Sequence, residues 1–344
     1  MTTQTSPIPV AIVGLGRAGW SLHFEPILKH PGFRIVGVAD PVPERAQEAA
    51  EKSGCRTWAT IDELLAETEA TLVVIATPSS MHHSDALKVL RSGRHCILEK
   101  PIAMDSQEAD EILAEARARG LQVFVNHSHL HMPEFHYLRS VVESGVLGPI
   151  FHIRAYWGFY GRRWDWQTLR KNGGGGLNNT CPHVLSVILP LLGAPVTSLY
   201  SDLRNIKDAG DAEDHVHLVL RAENGVTADI VVTTAIALGQ PKWTLCGKYG
   251  TLQCDGTKAT LRYYDPAKAP ELSVLDTAAP NRQYLRESLE WESREDTVPP
   301  VPVPAFHENI FQVLSAGAAP VVTPESAAEV VRVTEMARRA APQA

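Results

Sequence analysis

VAIVGLGRAG, Val10 to Gly19, joins a short apolar run to glycines spaced G-x-G-x-x-G. The run Val10 to Val13 has the length of a buried strand. Ser21 to Lys29, behind the glycines, reads as a helix that stops before His30-Pro31-Gly32. The glycines serve different ends: a tight turn at Gly14, close backbone approach at Gly16, close helix–strand packing at Gly19. A helix N-terminus presents unpaired N–H groups and the positive end of its dipole, which suits a pyrophosphate. The next apolar run, Arg34 to Ala39, ends in Asp40, in the window where a carboxylate accepts the ribose hydroxyls of a dinucleotide. That charge repels a 2′-phosphate, so NAD is expected over NADP, although Arg45 nearby leaves NADP open.

Strand and helix keep alternating. Pro43 to Ser53 and Ile61 to Glu67 read as helices, Leu72 to Ala76 as a central strand punctuated by Thr77-Pro78, and Ser80 to Arg91 as a helix ending at Gly93. His95 to Leu98 is a further strand, Asp105 caps a helix through Arg119, and Leu121 to Val125 is a last strand. This spacing means an α/β fold with a doubly wound parallel sheet, a Rossmann domain over residues 1–126. The strand His95–Leu98 runs into Glu99, Lys100 and Pro101, at the carboxyl end where open α/β sheets place ligand contacts.

The chain has 344 residues, 44% hydrophobic and 21% charged, with a net charge of −7. That balance argues against a nucleic-acid surface. There is no run of about 18 apolar residues for a membrane span and no secretory pattern at the start. The five cysteines are scattered without a Cys-x-x-Cys pair, which fits a reducing compartment. A cytoplasmic location is expected.

After Val125 the pattern changes. Met132 to Ser144 reads as a helix and Ile150 to Tyr156 as a long strand. His215 to Arg221 and Val226 to Thr234 flank Glu223-Asn224-Gly225, and Lys242 to Gly247, Thr251 to Cys254 and Lys258 to Tyr264 are separated by turn signals. Val184 to Leu192 reads as an apolar helix. The proline-rich Val298 to Pro304 continues neither helix nor strand, and His307 to Ala316 and Glu325 to Ala340 read as closing helices. The expectation for residues 127–344 is an α+β domain with a large, mostly antiparallel, open-faced sheet. Such a face often pairs with a copy of itself, so a homodimer or homotetramer is expected.

ATPSSMHHSDALKVLRSGRHCILEKP, Ala76 to Pro101, resembles the stretch A-T-P-x-x-x-H…A-L…G-K-H-V-L-x-E-K-P of the glucose–fructose oxidoreductase, inositol dehydrogenase and rhizopine-catabolism (Gfo/Idh/MocA) family. Pro78, His82, Gly93, Glu99, Lys100 and Pro101 carry the match. With the glycine fingerprint, the resemblance implies cofactor contacts at Gly14, Gly16, Arg17, Ala18, Gly19, Asp40, Arg45, Thr77, Pro78, Ser79, His82, Glu99, Lys100 and Asn126. It places Lys100 beside the reacting carbon. Gly173 to His183 is similar to the family stretch G-G-G-x-L-x-D-x-G-x-H-x-x-D and puts His183 on the catalytic histidine. Asn179, Cys181 and Ser186 depart from the usual Asp, Gly and Asp.

Oxidising a secondary alcohol moves a hydride to nicotinamide and a proton to a base. An imidazole serves as base, and a lysine on the same hydroxyl steadies the oxyanion and relays the proton. Lys100 and His183 are thus the expected catalytic pair, with Asn179 orienting His183 where an aspartate would charge-pair it. His127, His129 and His131 alternate and would share one face if extended, but hydride chemistry needs no metal and none is expected. Tyr160, Trp164 and Trp166, with Arg163, suit a sugar's C–H faces and hydroxyls. Together with His127, His129, Asn179 and His183 they are the expected substrate contacts. The expected activity is NAD-dependent dehydrogenation of a sugar, cyclic polyol or sugar derivative. Two rivals are a nucleotide-binding sensor or scaffold without turnover, and a redox-assisted lyase or epimerase with tightly held NAD, which would turn over without net NADH.

Overall fold

The computed structural model describes residues 6–277, 283–300 and 304–342. The first sheet is built from β1 (Ile8–Val13), β2 (Phe33–Ala39), β3 (Arg56–Trp58), β4 (Leu72–Ile75), β5 (His95–Leu98) and β6 (Val123–Val125). Its order is β3-β2-β1-β4-β5-β6, all parallel. The crossovers carry α1 (Glu25–Lys29), α2 (Pro43–Ser53), α3 (Ile61–Glu67), α4 (His82–Arg91) and α5 (Ser106–Arg119). β4 is fully buried on both faces, which is why it reads as an unbroken apolar run. Asp105 accepts from the Glu108 amide and Thr60 forms a reciprocal capping box with Glu63, so α5 and α3 start where the sequence places them.

The second domain opens with α6 (Pro133–Glu143) and β7 (Ile150–Gly158), followed by α7 (Gly176–Asn179) and α8 (Cys181–Leu192). Then come β8 (Val196–Arg204), β9 (His215–Ala222), β10 (Thr227–Thr233), β11 (Trp243–Gly247), β12 (Gly250–Cys254), β13 (Lys258–Tyr264) and β14 (Trp291–Thr297). The eight strands run β14-β13-β12-β11-β7-β10-β9-β8, antiparallel except for the β7–β10 pair. One face packs on α6 and α8, with Leu218, Leu220, Ile230, Leu245 and Leu261 fully buried against Val184, Leu185 and Ile188. The mostly antiparallel sheet is as expected. Strands β3, β8 and β14 are not: they are edge segments, and WESREDT over β14 is almost wholly exposed, so no alternating apolar pattern marks it.

The closing helices α9 (Phe306–Ala316) and α10 (Pro324–Ala340) return to the first domain. Ile310 joins the core under β1 and β2 with Phe24 and Phe33, while Ala327, Ala328 and Val331 pack with Ile112 and Leu113 of α5. Of the proline-rich stretch, residues 301–303 lie outside the described residues. No helix among the described residues is long and apolar enough to cross a membrane.

Trp243 is the largest fully buried side chain, and its indole N–H donates to the Glu134 carboxylate, which also accepts from Lys242. Trp243→Ala removes the ring and strands that carboxylate. The expected cost is about 4 kcal/mol, read as a lower midpoint in urea with an unchanged slope.

Candidate active site

A single cleft of about 980 Å³ runs from the glycine loop to the mouth between the domains. At one end it is lined by Gly14, Gly16, Arg17, Ala18, Asp40 and Arg45; in the middle by Thr77, Pro78, Ser79 and His82; at the other end by Glu99, Lys100, Arg163, Trp166 and Asn179. Gly14 has φ +88°, and a Cβ there would press on the Ala76 carbonyl. Gly19 and Asn126 lie behind the cleft and not on its wall: a Cβ on Gly19 would be driven into the Gly14 carbonyl, and Asn126 donates to Glu99 Oε1 at 2.7 Å.

Asp40 braces the loop it faces. Its Oδ2 accepts from the Leu15 amide at 2.6 Å and its Oδ1 from the Val42 amide at 2.9 Å, with the Arg45 guanidinium 3.9 Å from Oδ1. A carboxylate has about four acceptor positions, so Asp40 retains capacity toward vicinal hydroxyls. At Gly16 a Cβ would meet nothing within 4 Å, so the bare backbone there is open to a ligand. The loop, the acid and the volume of the cleft fit a dinucleotide.

His82 spends both ring nitrogens on the protein, 2.7 Å from the Pro101 carbonyl and 3.0 Å from that of Thr77. It fixes the Thr77–Pro78 turn against the corner after β5, where the Lys100–Pro101 peptide is cis. Burial alone would raise the Glu99 carboxyl, but hydrogen bonds from His23 and Asn126 hold it down to about 2.

Lys100 Nζ donates to the backbone carbonyl of Asn179 at 2.6 Å, across the domain junction. Burial, partly offset by Glu99 and aided by Arg17, brings its ammonium down to about 8. His183 lies in the first turn of α8, which begins at Cys181 and not at Val184, because Pro182 is free to occupy the start of a helix. Its Nδ1 is buried without a partner, and its ring packs edge-on to His129 with centroids 4.9 Å apart. Burial, then the Lys100 charge, then the neighbouring His129 and His127 hold His183 well below the ordinary imidazole range. Asn179 therefore serves this pair through its backbone carbonyl on Lys100, whereas the sequence suggested its side chain on His183.

His127, His129 and His131 do not form a common face, because Ser128–His131 is a 3₁₀ turn and not an extended strand. His127 is buried with both ring nitrogens unpartnered, pushed to about 4 by burial and then Lys100. His129 sits between His183 and Trp157, and His131 Nδ1 is 2.9 Å from the Pro304 carbonyl. Among the described residues no group of three side chains could hold a metal ion. Cys181 is fully buried and its thiol is pushed up to about 12 by burial, which suits packing and not attack.

The aromatic loop divides. Trp166 lines the cleft, and Arg163 does so while clamped on Asp165 by Nε and Nη2, each at 2.9 Å. Trp164 is 82% exposed and lies off the cleft wall, and Tyr160 lies over Lys207 instead, 5.5 Å from its Nζ. Sequence reading missed Glu213, whose Oε1 accepts from the Leu177 amide and whose backbone carbonyl accepts from the Gly176 amide, fixing the turn before Asn179. It also missed His23 and His307, which no local pattern marks.

Comparison with known proteins agrees with this architecture. The model of the oxidoreductase family with an NAD-binding Rossmann fold matches residues 8–127, and that of the GFO/IDH/MocA C-terminal domain matches residues 135–253. An uncharacterized oxidoreductase of Synechocystis sp. is 27% identical over 269 residues, 73% of this chain and 72% of its own. The D-glucoside 3-dehydrogenase of Escherichia coli is 28% identical over 201 residues, 56% of each chain. A crystal structure of an NAD-binding protein from Listeria innocua superposes with a TM-score of 0.80 at 24% identity, covering 97% of this chain and 94% of that one. The WlbA dehydrogenase from Bordetella pertussis, solved with NADH and UDP-GlcNAcA, gives 0.77 at 21% identity over 97% and 96%. Matched in both of its domains, the chain belongs to the Gfo/Idh/MocA family of oxidoreductases.

Proposed function

We propose that the protein is an NAD-dependent dehydrogenase acting on a secondary hydroxyl of a sugar, cyclic polyol or sugar derivative. The observation that carries this reading is the continuous cleft, which joins the Asp40 and glycine-loop end to Lys100 and Asn179 across the domains.

NAD, held by the Gly14–Ala18 loop and Asp40, would supply the hydride acceptor. The protein's own part is to orient the hydroxyl and move its proton. Lys100, at about 8, is matched to proton exchange near neutrality, and its charge stabilises an alkoxide. His183, kept neutral by burial and by Lys100, is a weak proton acceptor and acts as a hydrogen-bonding partner of the hydroxyl. The proton role thus shifts from the histidine toward the lysine.

The sign of the pH dependence follows. Oxidation needs Lys100 able to take a proton, so kcat/KM for alcohol oxidation should rise with pH and level off above about 8. Reduction needs the ammonium and should fall through the same range. A panel of hexoses, inositols, sugar acids and nucleotide sugars, assayed for NADH formation, tests the function. No NADH from any class would refute it, and oxidation independent of pH between about 6 and 10 would refute the role of Lys100.

A further inference from the structure

Behind Glu99 lies a buried chain of polar contacts drawn from four distant parts of the sequence. His23 Nε2 is 2.8 Å from Glu99 Oε1, and His23 Nδ1 is 3.2 Å from Nε2 of His307 on α9, 284 residues away. Asn126, just beyond β6, donates to the same carboxylate oxygen at 2.7 Å. His23, Glu99, Asn126 and His307 are all buried, at 0%, 8%, 5% and 8% exposure.

The helix after the glycine loop is built to admit this contact. Gly19–Phe24 is a π-turn, in which the Glu25 amide bonds the Trp20 carbonyl five residues back. Such wide turns are rare and concentrate at functional sites. Here the turn sends two consecutive side chains, His23 and Phe24, fully inward. Phe24 enters the core with Ile310, and His23 meets His307 one turn away on α9. The ring of His307 packs edge-on to that of His23, with centroids 5.3 Å apart at 88°.

We propose that His307 is a positioning residue for Lys100: it fixes the His23 ring, which with Asn126 holds the carboxylate of Glu99, the lysine's neighbour in the chain, off the ammonium. The proposal rests on the catalytic reading of Lys100 given above. It makes the C-terminal helix α9, which lies outside both matched family segments, a working part of the catalytic corner.

The electrostatics set the direction of the effect. Lys100 faces Glu99, Arg17, His127 and His183; His307 faces His23, His30, His131 and Glu99. Glu99 is the group that supports the Lys100 charge. Two donors on its Oε1 disperse its negative charge and keep it from closing on the ammonium. With His307 gone, the His23 ring is free to turn from Glu99, and the carboxylate acts on Lys100 with less competition. The titration of Lys100 should then move up.

The test needs no sugar substrate. Full-length protein with NAD present, labelled at lysine Cε, is titrated by carbon-detected NMR, with the Lys100 signal assigned by its loss in Lys100→Arg. Wild type and His307→Gln should titrate at about 8, and His307→Phe about one unit higher. In His307→Ala the upward shift should be reversed by added imidazole, which refills the place of the lost ring and stands in for His307→Phe if that variant does not fold. An unchanged Lys100 titration in a folded His307→Phe or His307→Ala variant would overturn the proposal. A role confined to packing would lower Tm and leave the titration where it is. A negative sugar panel would overturn the function and leave this result standing, so the two failures are distinguishable.

Discussion

Lys100→Ala should lower turnover by about 10³-fold or more while leaving NAD affinity within a few-fold. In the proposed mechanism the lysine combines proton exchange, worth about 10²–10⁴-fold, with stabilisation of the oxyanion, worth about 10²–10³-fold. These effects belong to one group and do not multiply in full. Affinity for the dinucleotide should be retained because the proposed cofactor site is the Gly14–Ala18 loop, Asp40 and the Thr77–Ser79 turn, none of which Lys100 holds by a hydrogen bond; its contact is to Asn179. His183→Ala should cost less, about 10–10²-fold, because a neutral histidine orients the hydroxyl without taking its proton. Stopped-flow turnover and NADH fluorescence titration read the two quantities separately. Near-normal turnover in Lys100→Ala with cofactor bound would remove the lysine from the chemistry.

Gly19→Val should abolish dinucleotide binding, and Gly16→Ala should weaken it without harming the fold. A Cβ at Gly19 is driven into the Gly14 carbonyl and stands 3.2 Å from the Ala76 side chain, so the loop and the π-turn behind it must move apart. Overpacking of this kind costs about 1–3 kcal/mol, and Tm should fall by several degrees. At Gly16 a Cβ meets nothing within 4 Å, so Gly16→Ala should unfold like wild type. Its methyl group occupies space needed for close backbone approach to a pyrophosphate. Calorimetry with NAD and thermal melts distinguish the cases. Equal melts for Gly19→Val and wild type would mean that the helix–loop contact is not what sets the site.

Most of the first domain was legible from the sequence because its central strands are buried on both faces; the exposed edge strand β3 was not. Leu72–Ile75 and His95–Leu98 could be little else, and the glycine spacing, Asp40 and the Glu99-Lys100-Pro101 corner each lie within a short segment. In the second domain the central strands were legible from their alternation. Its edges were not, since β8 and β14 are mostly exposed and carry no apolar period. The histidines of residues 127–131 illustrate a different limit. Alternation marks a shared face only for extended chain, and the local backbone chose a 3₁₀ turn.

The sequence by itself determined the parallel sheet and the glycine loop, and it named Lys100 and His183 as the expected catalytic pair. Burial determined the rest. Only the tertiary structure decided that Asn179 reaches Lys100 through its carbonyl, that His183 is held neutral while Lys100 is brought down to about 8, and that His307 closes the chain of contacts behind Glu99. The reason is physical. A motif fixes which groups a backbone presents, but the proton affinity of each depends on desolvation and on charges supplied by segments hundreds of residues away.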